Sequence, residues 1–182
     1  MTAKKTEFAS APQPQPLRLT GLAPLVSRET RLVILGSFPG AASLAKQQYY
    51  GHPQNQFWRI LQAIWPSNPG ADCASSYQKR SDWLLERGLG VWDVYASCER
   101  QGSLDSAIRH PQVNDFAALM QRCPQLTSVA HNGGESFRHA KHTAALGLAV
   151  YKLPSTSPAN ASWRFERKLA AWREVMVAAG LV

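Results

Sequence analysis

The sequence predicts an α/β fold, a three-layer α/β/α sandwich with a central, mostly parallel four-stranded sheet. Three observations carry that reading. Short apolar runs alternate with stretches of helical periodicity, the order that lays crossover helices over both faces of a parallel sheet. Each apolar run is followed, and not preceded, by a segment rich in Gly, Ser, Asn and Pro. At 182 residues, 45% of them hydrophobic, the chain can bury one substantial core.

In chain order, residues 1–16 end in Ala-Pro-Gln-Pro-Gln-Pro and are expected to be a flexible tail, leaving 17–182 as a single domain. Residues 17–30 read as an irregular or short helical lead-in, and Arg31–Leu35 as the first strand, broken at Gly36. Phe57, Ile60, Leu61, Ile64 and Trp65 fall on one face of a helix that starts at Gln56 and that Pro66 stops. A loop over Pro66–Ala74 precedes a helix over Ser75–Arg87 closed by Gly88. Leu89–Tyr95 is the second strand, and Ser97–Ser106 a polar loop after it. Asn114 is expected to cap a helix through Arg122 that buries Phe116, Leu119 and Met120. Leu126–Ala130 is the third strand, Glu135–Ala145 a helix and Leu148–Leu153 the fourth strand. Ser162 is expected to cap the last helix, with Phe165, Leu169, Trp172 and Met176 inward.

Composition excludes several classes. No apolar run approaches the roughly 18–20 residues that span a bilayer, and no signal-peptide segment opens the chain, so it is read as cytoplasmic with no membrane partner. Cys73, Cys98 and Cys123 are odd in number and far apart, which suits reduced thiols better than disulfides, zinc or an iron–sulfur cluster. The tail holds Lys4, Lys5 and Glu7, so about +7 of the formal +8 belongs to the folded part, an excess that favours a polyanionic partner. Arg100, Arg138, Lys141, Lys152 and Arg164 are expected to form a phosphate-binding face.

Ligands of open parallel sheets bind beyond the carboxyl ends of the strands. That edge gathers Gly36–Asn55, Asp93–Arg100, His131–Gly134 and Pro154–Asn160. Neither Gly-rich phosphate-loop pattern is present. There is also no Ser-His-Asp constellation, no carboxylate pair and no metal-ligand cluster; His139 and His142 read as a solvated helix face. The converging groups are mostly neutral: Ser37, Asn55, Asn132, Ser155, Thr156, Ser157 and backbone amides, with aromatic faces from Phe38 and Tyr50. His52 and His131 fit structural hydrogen bonding better than a direct role, and Asn55 is also a good helix cap. Neutral groups suit a reaction driven by positioning, and breaking an N-glycosidic bond is one: the sugar turns cationic and the base leaves with negative charge. A ring for stacking and a small-residue loop suit a base turned out of its helix. A non-catalytic nucleobase or nucleic-acid binding module is the alternative.

Gly36-Ser37-Phe38-Pro39-Gly40, Tyr50-Gly51-His52-Pro53-Gln54-Asn55-Gln56-Phe57-Trp58 and Leu153-Pro154-Ser155-Thr156-Ser157-Pro158 resemble the signature motifs of the uracil-DNA glycosylase superfamily. Residues 36–58 align without gaps to the mismatch-specific uracil/thymine pattern Gly-x-Asn-Pro-Gly with a downstream His-Pro-x-Asn-x-Phe-Trp. Phe38 stands where those enzymes carry the water-positioning Asn, and the uracil enzymes an Asp, so that role does not transfer. The variant is similar to the hypoxanthine-DNA glycosylase branch, which implies a monofunctional, cofactor-free and metal-free glycosylase acting on DNA with a deaminated base. It implies Asn55 as the catalytic residue, and Gly36, Ser37, Phe38, Tyr50 and Asn132 as base-binding. It also implies DNA contacts from Arg100, Ser155, Thr156, Ser157 and Asn160. Uracil is the alternative substrate. We expect a monomer.

Overall fold

The computed structural model describes residues 17–67 and 75–182. The expected tail, and all of the Pro66–Ala74 loop but its first two residues, lie outside the described residues. The elements run β1 (Arg18–Thr20), β2 (Leu32–Gly36), α1 (Ala41–Lys46), α2 (Phe57–Ile64), α3 (Tyr77–Glu86), β3 (Leu89–Asp93), β4 (Tyr95–Glu99), β5 (Arg109–Val113), α4 (Phe116–Arg122), β6 (Ser128–Asn132), α5 (Gly134–Phe137), α6 (Ala140–Ala144), β7 (Ala149–Leu153) and α7 (Phe165–Ala178).

The parallel sheet has the order β3-β2-β6-β7 and is flanked by helices, as the alternation predicts. Buried on both faces, β2 keeps an unbroken apolar run, and Leu32, Val33, Ile34 and Leu35 are all inaccessible to solvent. The amphipathic stripe of α2 turns Phe57, Trp58, Ile60, Leu61 and Ile64 inward, while α7 contributes Trp172, Val175 and Met176. Phe57 meets Trp172 edge-on at 5.7 Å. Full burial of such a ring contributes roughly 1.5–3 kcal/mol, more than the ~0.5–1.5 kcal/mol of a single hydrogen bond. Packing therefore fixes this layer, and the Trp172 Nε1 bond to the Pro154 carbonyl at 3.1 Å registers it against the loop after β7.

A second, antiparallel sheet of order β1-β4-β5 corrects the sequence reading in two places. The lead-in begins as a strand, Arg18–Thr20 pairing with Ser97–Glu99, and the polar Ser97–Ser106 segment is loop only from Arg100 onward. The register of β4 on β5 shifts between Tyr95 and Ser97 and again before Glu99, and β5 is exposed throughout with Pro111 inside it. Such an edge strand shows no alternation for a sequence to reveal. Between the sheets, Val94 and Tyr95 donate to the Gly36 and Ser37 carbonyls at 2.8 and 3.0 Å, tying this second sheet to the turn after β2.

The helices differ in detail. The six-residue α1 was not anticipated, and the stretch expected as one helix over Glu135–Ala145 is split into α5 and α6. Asp115, not Asn114, caps α4 by accepting from Ala117 and Ala118, while Asn114 donates to the Asp93 carbonyl at 2.9 Å. The last helix is preceded by Arg164 with no side-chain cap, and Ser162 bonds Asn160 instead.

Candidate functional site

The carboxyl ends of β2, β3, β6 and β7 open on a cleft of about 940 Å³. Of the site residues expected from the sequence, Gly36, Ser37, Phe38, Tyr50, Asn55, Asn132, Ser155, Thr156, Ser157 and Asn160 all line it. Arg100 does not.

Asn55 stands half-buried on the wall, just before α2. Its Oδ1 accepts the Phe57 N–H at 3.0 Å. Helix α2 starts at Phe57 with Gln56 in the N-cap position, one residue later than expected, but Asn55 still supplies the side-chain bond to the first turn, and that bond fixes the carboxamide. A carbonyl oxygen has a second lone pair, which leaves the same oxygen able to hold a water. The neighbouring Gln56 N–H donates to the Thr156 carbonyl at 3.0 Å, joining this wall to the loop after β7.

Tyr50 adopts a left-handed backbone (φ 53°), and one face of its ring stacks on Phe57, with centroids 3.8 Å apart and planes 16° from parallel. Only the opposite face can take a ligand. Asn132 donates to the Tyr50 hydroxyl at 3.2 Å and to Thr156 Oγ1 at 2.9 Å, and its Oδ1 accepts the Thr156 N–H at 3.0 Å. Its carboxamide thus holds the ring and the loop in place, and both N–H groups are engaged. The loop itself is anchored by Asn160 Nδ2 on the Ser155 carbonyl at 3.1 Å and by the buried Lys168, whose Nζ donates to the Asn160 carbonyl at 2.9 Å. Ser155 packs so tightly on Gly133 (φ 107°) that a Cβ there would lie 3.1 Å from the Ser155 Cβ.

The assignment of Arg100 to a DNA contact is corrected. It is buried, its guanidinium donates to the Pro39 carbonyl and lies 5.0 Å from the Phe38 ring centre, and among the described residues Nε and Nη1 have no hydrogen-bond partner. Arg100 therefore supports the turn after β2 from beneath, with its guanidinium engaged inside the protein. Of the other basic side chains, Arg138, Lys141, Lys152 and Arg164 are exposed, Lys152 on the cleft itself. Arg138 is paired to Glu135 at 3.2 Å.

Sequence reasoning missed the far wall and the floor. Ser103, Leu104, Asp105 and Ser106 line the cleft, with Ser37 donating to Asp105 at 2.6 Å and Ala41 N–H to Ser103 at 3.0 Å. Trp163 lines it on the α7 side. On the floor, Asp93 is 5% exposed, and among the described residues nothing hydrogen-bonds its Oδ2. It sits against Gly36, where any Cβ would collide with Oδ1. Burial raises this carboxyl to about 7, with Arg100 pulling it down and Asp105 pushing it up. The available signal was an acid at the end of the otherwise apolar strand Leu-Gly-Val-Trp-Asp.

His131 is directed away from the cleft. Its ring nitrogens meet Ser136 Oγ at 2.8 Å and Thr143 Oγ1 at 3.0 Å, and burial lowers its pKa to about 4. His52 lines the cleft, exposed, and its Nδ1 accepts the Gln54 N–H at 3.2 Å. Among the described residues no group of three or more His, Cys, Asp and Glu side chains is placed to hold a metal, and no helix is long and apolar enough to cross a membrane.

A ring with one free face, a fixed carboxamide and a loop of small residues, set at the carboxyl edge of a parallel sheet, define an α/β domain built to enclose a planar, polar-edged ligand. Residues 23–176 match the family model described as "Uracil DNA glycosylase superfamily", and the chain belongs to that superfamily. It is 36% identical over 159 residues to a hypoxanthine DNA glycosylase of Methanosarcina barkeri, covering 87% of this chain and 98% of the relative. A hypoxanthine DNA glycosylase of Methanosarcina acetivorans is 34% identical over 155 residues, 85% of this chain and 96% of that one. The fold is similar to the solution NMR structure of a candidate uracil DNA glycosylase from Methanosarcina acetivorans. That likeness has a TM-score of 0.79 at 31% identity, over 90% of this chain and 99% of the other.

Proposed function

We propose that the chain is a monofunctional DNA glycosylase that hydrolyses the N-glycosidic bond of hypoxanthine in DNA and leaves an abasic site. The observation that carries this reading is Asn55: a carboxamide held on the cleft wall by the Phe57 N–H, in the same cleft as the Tyr50 ring, whose other face is already taken by Phe57. The base, turned out of the duplex, stacks on the free face of Tyr50. Asn55 orients a water at the sugar C1′, and a fixed dipole there needs no reorganisation as the sugar becomes cationic. Gly36, Ser37 and Phe38 close the pocket around the base, Asn132 fixes the ring and the loop, and Ser155 to Asn160 meet the DNA backbone. Exposed cations such as Lys152 supply the salt-sensitive part of binding. The reading extends to a monomer made of one uracil-DNA-glycosylase-like domain over 17–182, acting in the cytoplasm without cofactor or metal.

Incubation with labelled duplexes containing inosine, uracil or xanthine, followed by alkaline cleavage of abasic sites, tests it. Release from the inosine duplex first and fastest is the expected result. Preferential cleavage at uracil would overturn the substrate assignment, and cleavage of none would favour a binding module.

A further inference from the structure

At the floor of the cleft, two polar side chains near Asp93 are already matched. Asn132 has both N–H groups and its oxygen engaged, and Ser37 donates to Asp105. Asp93 is not matched: among the described residues nothing hydrogen-bonds its carboxyl, Oδ2 is fully enclosed, and the buried Arg100 likewise keeps Nε and Nη1 without a hydrogen-bond partner. The charged and titratable groups facing it are Tyr49 and Tyr50 from the segment after β2, Arg100 from the end of β4, and Asp105. None forms an ion pair with it. Gly36 shows where the carboxyl lies in relation to the ring. A Cβ at that position would collide with Asp93 Oδ1 and stand 3.8 Å from the Tyr50 hydroxyl, so the carboxyl lies beside the hydroxyl end of the ring on which the base is proposed to stack. A buried acid without a partner stays neutral more cheaply than charged, and a neutral acid has a proton to give.

We propose that Asp93, in its protonated form, is the proton donor to the leaving base. This rests on the base-excision reading and adds the fate of the leaving group. The C1′–N9 bond breaks heterolytically and its electron pair passes into the purine, while the Asp93 proton moves to N7. The water held by Asn55 adds to C1′ and releases a proton to solvent, and the Asp93 carboxylate recovers a proton from solvent. One water is consumed and no other reactant is needed. Burial keeps the acid near 7, the range in which a proton donor works best at neutral pH.

The test is single-turnover excision between about pH 5.5 and 9, from a duplex carrying deoxyinosine and from one carrying 7-deaza-deoxyinosine, which lacks the N7 acceptor. With deoxyinosine the wild-type rate should fall about tenfold per unit above about pH 7. Asp93→Asn, close in shape, should lose about 100-fold below that limb and show no limb of its own. With the 7-deaza base the wild-type limb should vanish and Asp93→Asn should cost nothing more, a pattern that a merely structural side chain would not give. The two wild-type profiles decide the matter even if the variant folds poorly. Excision by the wild type with the same alkaline limb on both bases would overturn this inference alone. No excision by the wild type from any damaged duplex would overturn both it and the reading beneath it.

Discussion

Two strands of the parallel sheet each bury an ionisable side chain near the carboxyl end, and they treat it in opposite ways. On β6, His131 has a hydroxyl at each ring nitrogen and is inaccessible to solvent. Ser136 also lies 2.8 Å from the Leu35 carbonyl, so the group ties β6 to β2 and to α5. On β3, Asp93 is almost as deeply buried, and among the described residues nothing hydrogen-bonds its carboxyl. A buried polar group with all its bonds made is framework; one without them, facing a cleft, marks where a ligand supplies the missing bond. That difference separates two residues that burial alone would class together.

The largest effect expected from this contrast is on His131. His131→Leu removes one hydrogen bond from each of the Ser136 and Thr143 hydroxyls, which keep only their bonds to the Leu35 and Ala140 carbonyls, at about 0.5–1.5 kcal/mol each, and it leaves the ring's space imperfectly filled. Denaturant unfolding at neutral pH should show the loss, with excision per folded molecule little changed; unchanged stability would remove the framework half of the contrast.

The pH dependence of stability should separate the two groups next. The folded pKa of Asp93 lies above the ordinary 3.8 of a free carboxyl, so its burial costs increasingly more as pH rises from about 4 to about 7, by up to ~1.4 kcal/mol per unit. Burial lowers the folded pKa of His131 to about 4, below the ordinary 6.5 of a free imidazole, so its contribution is complete above about 6.5 and is lost as pH falls toward 4. Between about 4 and 6.5 the two slopes oppose each other in the wild type. Asp93→Asn should therefore be more stable than the wild type at pH 8, with the gain shrinking to nothing near pH 4. Melting curves that run parallel at every pH would show that Asp93 is not held neutral by the fold.

A smaller effect falls on the ring above the floor. Tyr50→Ala should weaken binding of a flipped base by roughly 1–3 kcal/mol, whereas Tyr50→Phe keeps the stack and loses only the bond from Asn132. Equal losses in the two variants would make the hydroxyl, not the face, the important group. Smallest of all is the rim: Lys152→Gln should weaken DNA binding uniformly across sequences and lower the log–log salt slope by about one unit. Titration of affinity against salt measures it, and an unaltered slope would place Lys152 off the DNA path.

What the sequence disclosed follows the same division between pattern and partnership. The buried apolar runs of β2 and β3 and the stripe of α2 carry period and composition, so the sheet, its flanking helices and the edge where the loops converge were readable. So was Asn55, because a cap is a local feature. The second sheet was not: β5 is exposed along its whole length, and β1 is three residues long. Adjacent capping candidates cannot be ranked without coordinates, and Asp115 took the place expected of Asn114. Arg100 read as a surface cation because a sequence shows its charge and not the Pro39 carbonyl and Phe38 ring it lies under. Asn132 was recognised as part of the site, but only long-range geometry reveals that its hydrogen bonds stay inside the protein.

The central claim is that Asn55 holds the attacking water, and its own capping bond allows a direct test. Ser is as good a cap as Asn, yet its hydroxyl is too short to reach the place where the carboxamide would hold a water. Single-turnover excision and thermal melting of Asn55→Ser, measured on the same preparation, should show near-wild-type melting with excision at least about 100-fold slower. If Asn55→Ser excises hypoxanthine at the wild-type rate, Asn55 is a helix cap and nothing more, and the water is held elsewhere.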